Sequence, residues 1–294
     1  MKKTGTPRPQ RFQSTGNSPM QEHENTFRKS SRKAGLAASS RIPLPAPKAA
    51  PGMPRFGTRA QEAPTVEQLK KIQAGAPFKT FYVHDEDDRA PVLEIVYPYN
   101  VICLLQIKSH YGRDPLQGTG FFISPKCILT AGHCVFDHDW MQWIKVIPGA
   151  LGAEAPFGHA VGKTFRSVEG WTVSKDADYD YGASILDDDS LYQKINAHIG
   201  FKATAMPAKV EIAGYPKDKG QTPHTAQGPV SSQTGTRYFY PIDTEAGNSG
   251  SPIFPPGKQG VQAVGIHTNG SFPENYGLRF RPDLIDRINE WTLL

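Results

Sequence analysis

The sequence predicts an all-β protein of antiparallel strands closed by a C-terminal helix and preceded by a basic arm. Three observations carry this. From about residue 82, apolar segments of four to eight residues, rich in Val, Ile, Phe and Tyr, recur between Gly, Pro, Asn and Asp. The 28 Gly and 26 Pro of the 294 residues argue against a helical bundle. The charge is also divided, with 12 Lys/Arg and 2 Asp/Glu in residues 1–60 against 21 and 26 in residues 61–294.

Residues 1–64 are rich in Ser, Pro, Lys and Arg and poor in Ile, Val, Leu and aromatics. Such a segment buries too little apolar surface to offset its ordering entropy, so it is expected to be disordered. MKKTGTPRPQ has a basic start but no apolar stretch behind it, so no signal peptide is expected. Few aromatics interleave with the basic residues to stack on bases, and no specific nucleic-acid partner is expected. Residues 65–81 read as a short helix and linker. Thr65 and Gln68 have capping-box spacing, Val66, Leu69 and Ile72 share a face, and Gly75 and Pro77 end it.

Residues 82–294 form the body. VLEIVY, NVICLLQI, GTGFFIS, KCILTA, WIKVIPG, YGASIL, KVEIAGY, RYFYPID, SPIF and VQAVGIHT read as strands, which without intervening helices suggest a sandwich or barrel. Residues 282–293 read as a helix, with Pro282 at its first position and Leu284, Ile285, Ile288 and Trp291 in one stripe. No apolar run approaches 18 residues, which excludes a helical membrane span. Three cysteines cannot support a disulfide-rich scaffold.

Three segments carry candidate chemistry. Thr130-Ala131-Gly132-His133-Cys134 follows an apolar strand. Asp176-Ala177-Asp178-Tyr179-Asp180 is an acidic turn leading into another. Glu245-Ala246-Gly247-Asn248-Ser249-Gly250-Ser251-Pro252 places a serine between glycines. Alone, each has an ordinary structural explanation. Together they supply a hydroxyl that needs a base, an imidazole, and a carboxylate to orient it. Gly247 would let successive N–H groups converge on an oxyanion, and Gly250 would let a substrate carbonyl approach the serine. Residue 251 is Ser, so no G-x-S-x-G elbow is present.

The order His133, Asp180, Ser249 is that of chymotrypsin. TGFFISPKCILTAGHC, DYDYGASIL and EAGNSGSPIF resemble the three signature blocks of trypsin-like (chymotrypsin-fold) serine endopeptidases, most closely the V8-like glutamyl endopeptidases. DDRAPV, IAGYPKDK and VGIHTNG extend the resemblance across about residues 82–294. It implies two perpendicular six-stranded chymotrypsin-like barrels with the site between them and a closing helix. By the same resemblance His133 is the general base, Asp180 its orienting carboxylate (with Asp178 as rival) and Ser249 the nucleophile. The N–H groups of Gly247 and Ser249 form the oxyanion hole, and Thr244 and His267 bind a substrate glutamate in S1.

The implied activity is peptide-bond hydrolysis through an acyl-enzyme, with protein or peptide substrates and no cofactor or metal. The family's frequent disulfide from the residue after the base to a position sixteen earlier is absent, because residue 118 is Gly. Cys103, Cys127 and Cys134 are therefore expected to be free thiols. Non-classical secretion and a cytoplasmic location both fit. His84, the acidic run Asp85–Asp88 and the run Asp187–Asp189 lack metal-ligand spacing and read as solvated loops. Alignment of DDR places the family's mature terminus near Tyr82, making the preceding segment a candidate pro-region and the intact chain a zymogen. The competing readings are a protease-like binding module without turnover and an anionic partner for the arm. Oligomeric state is not readable from the sequence.

Overall fold

Strands form where β-branched and aromatic runs are bounded by turn residues, and they assemble into two antiparallel sheets. The computed structural model describes residues 22–25, 83, 86–257, 260–271 and 273–294. The expected helix over 65–74 and nearly all of the basic arm lie outside the described residues.

The first sheet contains β1 (Glu22–Asn25), β3 (Ile102–Lys108), β4 (Leu116–Phe122), β5 (Cys127–Thr130), β8 (Trp143–Pro148), β9 (Ala160–Gly162), β10 (Thr164–Val168) and β11 (Gly182–Ile185), ordered β1-β10-β11-β5-β4-β3-β8-β9. The second contains β2 (Ala90–Pro91), β13 (Lys209–Gly214), β14 (His224–Pro229), β15 (Ser232–Gln233), β16 (Arg237–Tyr240), β17 (Pro252–Phe254), β19 (Gly265–Ser271) and β20 (Glu274–Arg279), ordered β15-β16-β20-β19-β17-β13-β14-β2. Two small pairs, β6 (Phe136–Asp137) with β7 (Asp139–Trp140) and β12 (Gly200–Phe201) with β18 (Gln262–Ala263), complete the strands.

Each main sheet has eight strands where six were expected, because segments of two to four residues pair along the edges. One of them, β1, lies in the arm and runs antiparallel to β10, with Glu22 opposite Val168 and Asn25 opposite Phe165. VLEIVY is the one expected strand that does not form. Pro91 and Pro98 close both ends of this run and remove ladder donors. Leu93 and Val96 are exposed rather than packed.

The chain order separates the site residues between the sheets. A one-turn helix, α1 (Gly132–Val135), follows β5 and carries His133; a second, α2 (Glu169–Thr172), follows β10. A 3-10 turn over Ala177–Tyr179 leads through Asp180 into β11. A third helix, α3 (Ser190–Ile195), connects onward to the second sheet. Ser249 and His267 belong to the second sheet and its loops.

The C-terminal helix α4 (Pro282–Thr292) matches its expected span, with Pro282 in its first turn. Leu284, Ile288 and Trp291 are fully buried, and Ile285 is half-buried. The Trp291 ring packs on Tyr181, the residue after Asp180, with centroids 5.6 Å apart. The helix thus backs the segment that delivers the buried carboxylate. Trp291→Ala removes that support and leaves a cavity, so it should cost about 3–5 kcal/mol of stability. Thermal or denaturant unfolding reads this directly; a loss below about 1 kcal/mol would show that the helix does not brace this core.

Candidate active site

The site is assembled from two turns of the first sheet and one loop of the second. The backbone N–H of His133 donates to Asp180 Oδ1 at 2.8 Å, and His133 Nδ1 lies 2.8 Å from Asp180 Oδ2. One carboxylate therefore fixes both the main chain and the ring of the same residue. Asp180 is completely buried. Asp178 instead pairs with Arg237 and is partly exposed, which separates the two sequence candidates.

Burial alone would lower the His133 pKa. The Asp180 carboxylate together with Cys134 outweighs it, and the net shift is upward. The imidazole also packs near Trp171, with centroids 6.2 Å apart. Trp171 lies flat on Gly132, where an added Cβ would sit 2.8 Å from the indole. The glycine before the histidine is thus a packing requirement.

Ser249 sits in a loop shaped by two left-handed glycines. Gly247 has φ +100° and Gly250 has φ +90°, conformations that residues with a Cβ rarely adopt. A Cβ on Gly250 would lie 2.0 Å from the Thr119 carbonyl oxygen and 2.2 Å from Thr130 Oγ1. Gly250 is therefore required for the loop to press against β4 and β5. This packing role was not among the sequence expectations for Gly250.

Among the described residues, the N–H groups of Gly247 and Ser249 donate to no internal acceptor, although the neighbouring N–H groups of Asn248, Gly250 and Ser251 all do. Uncommitted donors beside a buried serine are uncommon in folded chains. Ser249 and His133 line one cavity of about 220 Å³ together with Gly247, Cys134, Ile107 and Lys217. Ser249 makes no hydrogen bond to His133 among the described residues. Such contacts are often long before substrate binds.

Thr244 and His267 are fully buried and do not line that cavity. His267 joins the Ser249 loop through its backbone: Gly250 N–H donates to its carbonyl at 2.8 Å, and its N–H donates to Ser251 O at 2.9 Å. Its Nδ1 lies 2.7 Å from the Tyr240 hydroxyl. Burial and the positive field of His133 lower the His267 pKa to about 3, so this ring is neutral at ordinary pH.

Sequence reasoning missed several participants. Asn269 Nδ2 approaches Asp180 Oδ2 at 3.4 Å from an irregularity in β19. The Thr119 hydroxyl donates to Gly247 O at 2.7 Å. Neither has a local signal, since each acts across the sheets.

All three cysteines are free and buried. A Cβ at Gly118 would lie 3.1 Å from Cys134 Sγ, so position 118 faces that thiol without a partner sulfur. The Asp187–Asp189 run is exposed, as expected. Asp87 is not simply solvated, because Arg89 and Lys219 hold it; His84 and Asp85 lie outside the described residues. No group of three or more His, Cys, Asp or Glu among the described residues is arranged to hold a metal ion. None of the helices there is long and apolar enough to cross a membrane.

Residues 118–266 match the family model of the trypsin-like peptidase domain. An extracellular metalloprotease of Bacillus subtilis is 35% identical over 67% of this chain and 64% of its own length. The glutamyl endopeptidase of Bacillus licheniformis is 31% identical over 76% of this chain and 72% of its own. The chain thus spans just under two thirds of one relative and somewhat more of the other. Among solved structures, a Glu endopeptidase in complex with MPD superposes with a TM-score of 0.65 at 26% identity, covering 71% of this chain and 99% of that one. The thermostable serine protease AL20 from an extremophilic microorganism shares the fold, with a TM-score of 0.60 at 17% identity over 66% of this chain and 98% of that one. With blocks, fold and relatives in agreement, the chain belongs to the trypsin-like serine peptidases, in their V8-like branch.

Proposed function

We propose that the protein is a serine endopeptidase in which Ser249 attacks the scissile carbonyl. His133 takes the hydroxyl proton and returns it to the leaving amine, while Asp180 holds the ring and stabilises the imidazolium. The acyl-enzyme is then hydrolysed by a water that His133 activates in the same way. The observation that carries this reading is the pair of uncommitted N–H groups at Gly247 and Ser249, beside a serine that shares a cavity with an aspartate-bound imidazole. Donors fixed in this way favour the charge that develops on the carbonyl oxygen.

We further propose a preference for glutamate before the scissile bond. Tyr240 is buried, which pushes its phenol pKa well up, so it keeps its proton. A phenol donating to His267 Nδ1 leaves the ring proton on Nε2. A neutral imidazole of that tautomer can donate to a substrate carboxylate. The similarity to the glutamyl endopeptidase of Bacillus licheniformis supports the same preference. The N–H of Asp88 donates to Asp243 Oδ2 at 3.0 Å, one residue before Thr244. A mature terminus near Tyr82 would therefore lie a few residues from this wall, which supports reading the preceding segment as a pro-region.

One relative's name raises a metal, but the described donor set does not fit a resident one. Hydrolysis should survive exhaustive dialysis against a chelator; loss restored by a divalent ion would contradict the serine mechanism. Ser249→Ala should lower kcat by several orders of magnitude, and undiminished turnover would show another nucleophile. Peptides differing only at P1 should be cleaved best after Glu, and equal cleavage after Arg would reject the His267 assignment. The raised His133 pKa means the ring stays protonated, and so unable to act as base, to higher pH. The acid limb of kcat/KM should therefore fall at or above about 6.5, the ordinary imidazole value. A limb far below it would contradict the Asp180 interaction.

A further inference from the structure

Oxyanion stabilisation requires the Gly247 N–H to point in one direction, and the peptide between Ala246 and Gly247 sets that direction. We propose that Arg89, acting through Asp218, is a positioning residue for this peptide. It anchors the 215–220 loop whose backbone holds the Ala246 carbonyl. This rests on the reading that Gly247 and Ser249 form the reacting centre.

The contacts run without a gap. The Lys217 N–H donates to Ala246 O at 2.6 Å. A trans peptide directs its C=O and N–H oppositely, so this bond turns the Gly247 N–H away from the loop. The loop lies directly on the glycine: an added Cβ there would be 2.3 Å from Tyr215 O and 2.9 Å from Lys217 N. On the other side, the Thr119 hydroxyl fixes the Gly247 carbonyl. Both peptides around Gly247 are therefore held from outside.

Tyr215 anchors the buried start of the loop, its N–H on Thr119 Oγ1, but the exposed tip has little to hold it. Lys217, Asp218 and Gly220 are exposed, so apolar burial contributes little there. A solvated turn of this kind opens at low cost unless tied down. Gln117 Nε2 ties its two ends, donating to Tyr215 O and Gly220 O at 2.9 Å each.

The remaining tie is ionic. Arg89 Nη2 and Nη1 donate to Asp218 Oδ2 and Oδ1 at 2.7 and 3.0 Å. Arg89 Nε and Nη2 donate to Asp87 Oδ1 and Oδ2 at 2.7 and 2.9 Å. Lys219 Nζ closes the cluster on Asp87 Oδ2 at 2.8 Å. The Arg89 side chain is only 3% exposed. Bidentate guanidinium–carboxylate pairs hold geometry best, and here the guanidinium side is desolvated. Residues 87–89 thus join the start of the body to the oxyanion peptide through Asp218, Lys217 and Ala246.

Loosening this anchor should weaken transition-state stabilisation more than substrate binding. Removing an oxyanion donor outright costs about 10²–10³ in kcat. A donor that is merely misdirected should cost less, about 10–100-fold. The test uses the full chain with Asp218→Ala, a partly exposed position, alongside Arg89→Gln. Kinetics on one peptide substrate, inhibition by a peptide aldehyde and the thermal midpoint are measured together, because the aldehyde adduct uses the same N–H groups. The proposal expects kcat to fall about 10–100-fold and the aldehyde inhibition constant to rise by a similar factor. KM should stay within about threefold, and the chain should remain folded at the assay temperature. Unchanged kcat and aldehyde affinity in folded Asp218→Ala would overturn it, as would a loss of activity explained entirely by unfolding. If Arg89→Gln does not fold, Asp218→Ala decides. Ser249→Ala separates the two levels: activity there defeats the reading of the site, whereas an inactive Ser249→Ala with a normal Asp218→Ala defeats only the anchor.

Discussion

The site depends on one residue that stitches the two sheets together. Thr119 in β4 donates its N–H to Ser249 O at 2.9 Å and its hydroxyl to Gly247 O at 2.7 Å. The same hydroxyl accepts the Tyr215 N–H at 2.9 Å, and the Thr119 carbonyl accepts Thr130 Oγ1 at 2.6 Å. Every one of these groups is buried. A broken bond would therefore strand a polar group away from water, at about 1–3 kcal/mol. This contact sets how far the serine of the second sheet lies from the imidazole of the first. It also explains why Gly250 has no side chain: a methyl group would separate the surfaces that Thr119 joins.

Around that seam the electrostatics are arranged in opposite senses. The fully buried Asp180 carboxylate accepts the backbone N–H of His133, lies against its Nδ1, and is approached by Asn269 from the other sheet. That carboxylate raises His133, while burial and the nearby His133 charge lower His267. Two imidazoles in one protein are thereby given different work. In the proposed mechanism one takes and carries a proton, and the other serves as a neutral hydrogen-bonding group. Environments that push like groups apart in this way commonly mark divided roles.

Much of this was legible in the sequence. Alternation and turn residues located most of the strands, and the helical stripe of Leu284, Ile288 and Trp291 located α4, because these signals are local and repeat with the period of the element. The motif blocks singled out His133, Asp180 and Ser249, since each sits at an element boundary with distinctive neighbours; the structure sets His133 against Asp180 and on one cavity with Ser249. VLEIVY misled because composition alone does not reveal that flanking prolines remove ladder donors. Thr119, Asn269 and the Lys217 backbone were invisible for another reason. Thr119 meets Gly247 128 residues away and Asn269 meets Asp180 89 residues away, while Lys217 acts through main-chain atoms common to every residue. The role of DDR was likewise hidden, since an acidic run beside an arginine looks like a solvated loop until Asp218 is brought to it.

Reaction of the protein with a fluorophosphonate, followed by peptide mapping, tests the central claim most directly. The account predicts a single covalent adduct on the Ser249 hydroxyl that His133→Ala abolishes in a chain that remains folded. An adduct on another residue, or labelling of Ser249 that is indifferent to the loss of His133, would contradict it.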